Sequence, residues 1–248
     1  VGEIENKGIE LSIGLQLVDT KDWNVRLNAS YNTNHNKVLS IGNAVPFAIG
    51  GFSSRTVQTV VAEGEPVGFI RGYKAVLNPD NSLKEILPLQ NLGSTLPTAY
   101  GNFSLSASYK NLSFMLSGDY QYGAYVHSFD RQFRFSKGLK DDAIPEKALE
   151  GLDQGANWLN FTNFFVEKSD FLKIRNIGIA YDYKPKKYLK SVNLAFNVYN
   201  PFAFTASSVD PEAALAGARS QGAVAVGGLN YSSYSTPRQY VGTIRVSF

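Results

Sequence analysis

The chain of 248 residues contains no cysteine, one methionine and two histidines. Without cysteine there is no disulfide framework and no thiolate metal site. The sequence also lacks any run of about 18 apolar residues, which excludes a transmembrane helix. Its net charge of +3 is weak, and the basic residues are spread along the chain rather than gathered among aromatics, so nucleic acid is not an expected partner.

Aromatic residues are plentiful, with 14 Tyr and 16 Phe, and many glycines and asparagines lie between them. This composition is typical of a strand-rich protein with aromatic girdles and not of a helical enzyme. The composition therefore predicts a β-rich fold.

Apolar and polar side chains alternate with a period of two over most of the chain, which predicts strands with one apolar and one polar face. The clearest runs are residues 9–17, 23–31, 103–109, 114–122, 177–183, 192–198 and 240–248. A weaker strand pair is predicted at 54–77 around a turn at 62–66. Leu172 and Ile174 are out of phase with Ile177, which predicts a bulge near Asn176.

Short and long connections alternate along the predicted strands. Short turns fall near 18–22, 62–66, 110–111 and 185–190, and long segments at 37–53, 78–98, 128–168 and 206–235. This asymmetry is typical of bacterial outer-membrane barrels, with short periplasmic turns and long extracellular loops. We expect an all-β, antiparallel transmembrane β-barrel portion of about nine strands. The odd number and the strand-like opening at Val1 suggest that further strands precede the chain.

Charged residues inside the predicted strands all fall in the polar phase, where they would line a wet lumen and avoid lipid. They are Glu10, Arg26, Asp119 and Arg245. Tyrosines at strand ends would lie at the membrane interfaces, where a ring with one wet end is favoured. They include Tyr31, Tyr109, Tyr122 and Tyr183.

Several stretches resemble, in order, phrases of SusC/RagA-type TonB-dependent transporters of Bacteroidetes. They are residues 1–10, 63–68 with 71–73, 100–105, 165–177, 197–202, 210–212 and 236–240. Each stretch alone is a weak signal, but seven in the right order over the whole chain are specific. The chain departs from the family at Tyr234-Ser235-Thr236, where Tyr-Pro is usual, and at Asn200-Pro201, where Asn-Leu is usual.

The resemblance implies that residues 1–248 form the C-terminal part of a 22-stranded barrel, integral to the bacterial outer membrane, whose plug and first strands lie outside this chain. It implies nutrient import, with an oligosaccharide or a peptide as substrate. The implied partners are a SusD-like surface lipoprotein, the remainder of the transporter, TonB through the N-terminal region, and membrane lipid with lipopolysaccharide.

Three groups of residues are candidates for function. Tyr240, Ile244, Val246 and Phe248 resemble the C-terminal signal read by the barrel-insertion machinery. Asp210, Pro211 and Glu212 form a family-motif loop, for which a structural turn is favoured over acid–base chemistry. The aromatics of the long segments would stack on sugar rings, contact a lid protein, or pack loop against loop. They are Phe47, Phe52, Trp158, Phe161, Phe164, Phe165, Tyr231 and Tyr234.

No catalytic constellation, cofactor motif or metal-ligand spacing is present, so we expect a protein that is not an enzyme. His35 and His127 are expected to be solvated loop residues. Two alternatives stay open at this point. One is a complete small outer-membrane barrel, either an adhesin or an outer-membrane enzyme, and the other is a soluble β-sandwich binding module.

Overall fold

The computed structural model describes residues 2–51, 57–185, 189–212, 227–231 and 233–248. Its strands are β1 (Glu3–Lys7), β2 (Glu10–Asp19), β3 (Trp23–Thr33), β4 (His35–Ser40), β5 (Phe47–Gly51), β6 (Gln58–Val61), β7 (Phe69–Leu77), β8 (Leu83–Ser94), β9 (Ala99–Tyr109), β10 (Leu112–Tyr122), β11 (Tyr125–Ser128), β12 (Val166–Lys168), β13 (Phe171–Tyr183), β14 (Ser191–Thr205), β15 (Leu229–Asn230) and β16 (Gln239–Ser247). The α-helices are α1 (Phe129–Ser136) and α2 (Gln154–Asn157), and 3-10 helices cover Glu146–Leu149 and Trp158–Phe165.

Among the described residues, seven strands form one antiparallel sheet in the order β16-β14-β13-β10-β9-β3-β2. Neighbouring strands are joined alternately by a short turn and a long connection. The short turns lie at 20–22, 110–111 and 184–190, and the long connections at 34–98, 123–170 and 206–238. Since the strands are antiparallel, all three short turns lie at one end of the sheet and all three long connections at the other.

One face of this sheet is apolar from edge to edge. Because residues paired across antiparallel strands share a face, the register defines a row that crosses all seven strands. That row is Leu15, Leu27, Leu105, Leu116, Ile177, Val198 and Tyr240. The next row belongs to the other face and reads Gly14, Asn28, Ser104, Ser117, Asn176, Tyr199 and Gln239. The predicted alternation therefore produces an apolar face and a polar face.

A β-bulge interrupts β13 between Ile174 and Asn176, in its pairing with both β10 and β14. Arg175 is the extra residue and has no cross-strand partner. The bulge shifts the phase of the strand, so that Lys173 before it and Asn176 after it both lie on the polar face. The predicted bulge near Asn176 is therefore confirmed.

The long connections fold together into one body, which we call the loop body. Within it, β5–β8 form a four-stranded sheet, and β11 pairs with β12 and, in parallel, with β15. A buried cluster joins Ala75 of β7 to Phe135 of α1 and to Phe161 and Phe165 of the second 3-10 helix. Asn163 accepts a hydrogen bond from the Ala75 backbone N–H at 2.9 Å, much as a neighbouring strand would.

The strand pair predicted at 54–77 belongs to this loop body and not to the large sheet. Strand β3 pairs directly with β9, so residues 34–98 form one connection, and the segments 37–53 and 78–98 are parts of it. The predicted short turn at 62–66 lies inside that connection. Two predicted long segments and the short turn between them thus merge into one long connection. The predicted alternation of short and long connections is therefore kept, with one short and one long connection fewer.

No helix in the described part of the chain has the length and hydrophobicity needed to cross a membrane.

Candidate functional site

Five charged side chains meet on the polar face at the end of the large sheet that carries the long connections. Lys173 lies in β13 just before the bulge, Arg175 is the bulged residue itself, and Asp119 comes from the neighbouring strand β10. Asp210 and Glu212 come from the last long connection. We call these five residues the charge network.

Lys173 is the centre of the charge network, with only 5% of its side chain exposed. Its ammonium lies 2.6 Å from Asp210 Oδ1 and 2.5 Å from Glu212 Oε2. A buried ammonium is costly unless it is paired, so the two carboxylates are required to hold it there. The pairing fixes the Asp-Pro-Glu turn against the sheet.

Arg175 forms the second half of the charge network. Its guanidinium donates to both carboxylate oxygens of Asp119 and to Glu212 Oε1. The fork geometry of arginine suits such bidentate pairing. Glu212 is thus held by both cations, one on each carboxylate oxygen.

Asp210 joins three segments of the chain. Its carboxylate binds Lys173, accepts from the Glu212 backbone N–H at 3.1 Å within its own turn, and accepts from the backbone of Thr236 on the returning limb of the connection. The returning limb is also attached to β14, where Asn200 donates to Pro237 O at 3.2 Å. Both limbs of the last connection are therefore fastened to the large sheet.

The electrostatics of the turn are unsuited to proton transfer at neutral pH. Burial raises the pKa of Asp210 and of Glu212, but hydrogen bonds and charge from the two cations outweigh it, so both pKa values lie below their ordinary range. Both groups stay ionised, which agrees with the structural role favoured for the Asp-Pro-Glu loop. Among the described residues, no cluster of His, Cys, Asp or Glu could hold a metal ion.

A cavity of about 500 Å³ lies beside the charge network on the polar face. Amide side chains of Asn102 and Gln121 and the rings of Tyr100 and Phe171 line it, and Asp119 and Glu212 border it. Lys173 and Arg175 are not part of its lining. Such a wall offers hydrogen-bond donors and acceptors and two apolar rings, which suits an uncharged polar ligand.

The candidate aromatics fall into two sets, buried and exposed. Phe161 and Phe165 are fully buried in the loop body, and Trp158 and Phe164 pack against the same cluster. Tyr231 is partly buried, and burial raises its pKa to about 12. These five rings pack loop against loop.

Two of the remaining candidate aromatics, Phe47 and Tyr234, are exposed. Tyr234 is 97% exposed and Phe47 is 46% exposed, so either ring is free to contact a ligand or partner. Phe52 lies outside the described residues.

The four residues of the terminal strand lie on the apolar face or just beyond it, in register with β14. Tyr240 pairs with Val198, Ile244 with Leu194 and Val246 with Val192. Their side chains are exposed, and Phe248 is 79% exposed. Within the described residues β16 is an edge of the large sheet, so its outer side offers backbone groups to a further strand.

The prediction of a solvated His127 is wrong. His127 lies in β11 and is completely buried, with Nε2 2.5 Å from Gln132 Oε1 and its backbone N–H bonded to Gly228 O. Desolvation lowers its pKa to about 4, so the ring is neutral at physiological pH. Period-two reasoning missed this because β11 is packed inside the loop body. His35 is exposed as predicted.

Sequence reasoning placed Asp119 on the polar face but did not single out Lys173 or Arg175. The sequence signal that could have identified them is the presence of two basic residues beside the predicted bulge in β13, a strand whose pattern otherwise alternates. Their acidic partners are 37 or more residues away, beyond the reach of any local pattern.

Comparisons with known proteins agree with this geometry. No family model matches the chain. Two curated proteins of Formosa agariphila match all of it: TonB-dependent receptor P26 with 25% identity and TonB-dependent receptor P3 with 23%. The chain spans 29% of the length of each.

Solved structures of the RagAB peptide transporter match the whole chain as well. One gives a TM-score of 0.72 with 20% identity, and the importer in its closed-closed state gives 0.71 with 19%. The chain covers 30% of each matched chain. The chain resembles a C-terminal portion of a SusC/RagA-like TonB-dependent receptor. The resemblance predicted from the motifs is confirmed, and so is the fold class, an antiparallel portion of a β-barrel.

Proposed function

We propose that the chain forms part of the wall and the mouth of an outer-membrane nutrient importer of the TonB-dependent type. In this proposal the large sheet belongs to the barrel wall, the short turns face the periplasm, and the loop body faces the outside. The chemistry is binding and gating, without covalent catalysis.

The observation that carries the proposal is the continuous apolar face. Leu15, Tyr240 and Ile244 on this face are strongly exposed, and a soluble protein rarely exposes such a large apolar surface. On β3, the apolar-face residues Trp23 and Tyr31 lie eight positions apart, about 27 Å along the strand. A strand tilt of roughly 40° reduces this to about 20 Å, close to the height of the apolar band of outer-membrane barrels.

The polar face supports a role in passage of a substrate. It carries the charge network and the cavity of about 500 Å³ with its amide and aromatic lining. An oligosaccharide or a peptide is a suitable substrate, since both present uncharged hydrogen-bonding groups. The plug domain and the TonB-contacting segment of the complete receptor would supply the energy coupling.

The loop body supports contact with a surface partner. Its core is built from buried rings, so its shape is set before any partner arrives, while Phe47 and Tyr234 stay exposed. A SusD-like lipoprotein would act as a lid over this surface. The edge strand β16, ending at Phe248, would be read by the insertion machinery and would then pair with the first strand of the barrel.

The test is made in the native organism with the complete gene. We expect the receptor in the outer-membrane fraction, a surface lipoprotein co-purifying with it, and loss of growth on one class of oligosaccharide or peptide when the gene is deleted. Recovery of the protein in the soluble fraction would refute the membrane placement. Membrane location with unaltered uptake of both classes would refute the import function.

A further inference from the structure

A lysine and two aromatic rings in contact, with their planes tilted by 35°, lie together at the end of the large sheet that carries the short turns. Trp23 of β3 and Tyr109 of β9 are paired on the apolar face, with ring centroids 4.6 Å apart. The ammonium of Lys110, the next residue in the turn, lies 5.1 Å from the centroid of the Tyr109 ring. A cation is thus held at the margin of the apolar face.

The turn that carries Lys110 is well anchored. Lys110 adopts φ +52°, and its backbone N–H donates to Asp22 O of the neighbouring turn at 2.8 Å. On the other side, Asn111 O accepts from the Asp182 backbone N–H at 2.9 Å. The turn at 110–111 is therefore hydrogen-bonded to the turn at 20–22 on one side and to the end of β13 on the other, and these bonds fix the position of the Lys110 backbone.

At this end of the sheet, two acidic side chains lie on the polar face, while the Lys110 ammonium lies beside the apolar face. Asp19 accepts from Asn24, and Asp182 accepts from Asn193, both on the polar face. Lys110 forms no ion pair with a carboxylate of the described residues, and Asp22 is the one acidic residue in the turns beside it. Lys21, Lys184 and Lys190 lie in the described parts of the same turns. The described parts of the short turns therefore carry more basic than acidic residues.

We propose that Trp23, Tyr109 and Lys110 form a binding site for the phosphate of an anionic phospholipid in the leaflet at the short-turn end. The proposal rests on the membrane placement of the proposed function. Aromatic rings favour the level of the headgroups, and a lysine beside them reaches the phosphates while its stem stays on apolar surface. The acyl chains would lie along the apolar face below the rings.

The test uses the complete receptor purified in mild detergent, with native mass spectrometry of bound lipid. Phosphatidylglycerol and the zwitterionic phosphatidylcholine are the probes, each titrated alone and against inorganic phosphate. We expect a preference for phosphatidylglycerol that falls about five-fold in K110Q, the effect of one lysine near an anionic surface. K110R should keep the preference.

The chain offers a matched control. Lys137 also lies 5.1 Å from an aromatic centroid, that of Phe133, but it belongs to the loop body. K137Q should bind phosphatidylglycerol as the parent does. An unchanged preference in K110Q, an equal loss in K137Q, or displacement of the lipid by millimolar phosphate would overturn the site. Absence of both lipids from every variant, together with a soluble receptor, would instead overturn the membrane placement.

Discussion

Replacing Lys173 by methionine should release the last long connection from the large sheet. Methionine keeps the length and apolar stem of the side chain but removes the ammonium between Asp210 and Glu212. Asp210, with 8% of its side chain exposed, would then be a buried carboxylate without its cation. Breaking a buried pair in this way costs about 3–5 kcal/mol. We expect the lower figure, since Glu212 keeps Arg175.

The loss should depend on pH in a defined direction. In the parent, burial raises the pKa of Asp210, but Lys173 and backbone hydrogen bonds outweigh it and hold the pKa below its ordinary value. Their stabilisation is present above the ordinary value and is lost as the pH falls through the lowered pKa. Burial is already the largest single influence on the pKa of Asp210. In K173M the ammonium no longer offsets it, and the pKa of Asp210 rises. The variant is therefore penalised most at neutral pH and recovers as the carboxyl takes up a proton.

The assay is hydrogen exchange of residues 206–212 in the purified complete receptor, corrected for intrinsic rates at each pH. A loss of about 3 kcal/mol corresponds to roughly a hundred-fold faster exchange at pH 7. The gap from the parent should narrow at pH 5, and D210N added to K173M should restore most of the protection. K147M is the control, because the pair of Lys147 with Asp80 is exposed and worth little. Unchanged exchange in K173M at pH 7 would refute the reasoning.

Further predictions concern the two faces, the loop body and the terminal strand. L27R places a charge on the apolar face. It should lower the stability of the barrel in the membrane by roughly 2–4 kcal/mol and reduce the amount of receptor there. N28R, at the next residue and on the polar face, should leave the amount of receptor in the membrane unchanged. F161A removes a fully buried ring and should cost roughly 3–5 kcal/mol, seen as faster proteolysis of the loop body, while Y234A should alter only ligand or partner binding. Deleting Phe248 should lower the amount of receptor in the outer membrane. An unaltered surface abundance, together with heat-modifiable gel mobility, would argue against an assembly signal.

Much of the large sheet follows from local sequence. Alternation with a period of two fixes which side chains share a face, because successive Cβ atoms point to opposite sides of a strand. A change of phase between Ile174 and Ile177 was enough to predict a bulge near Asn176, and the structure places it at Arg175. Connection lengths predicted the two ends of the sheet, because successive connections between sequential antiparallel strands fall at opposite ends. Strict alternation of short and long connections therefore places all short turns at one end.

The sequence by itself thus determined the strands, their two faces and the asymmetry of their connections, all of which depend on neighbours in the chain. Only the tertiary structure decided which sheet the strands at 58–77 join, that His127 and Phe161 are buried, and that Lys173 holds a turn 37 residues away. These features depend on contacts between distant segments of the loop body and the sheet. The alternation of side chains along a strand does not specify which other strand it pairs with. The burial of a side chain in a long connection depends on which other connections fold over it.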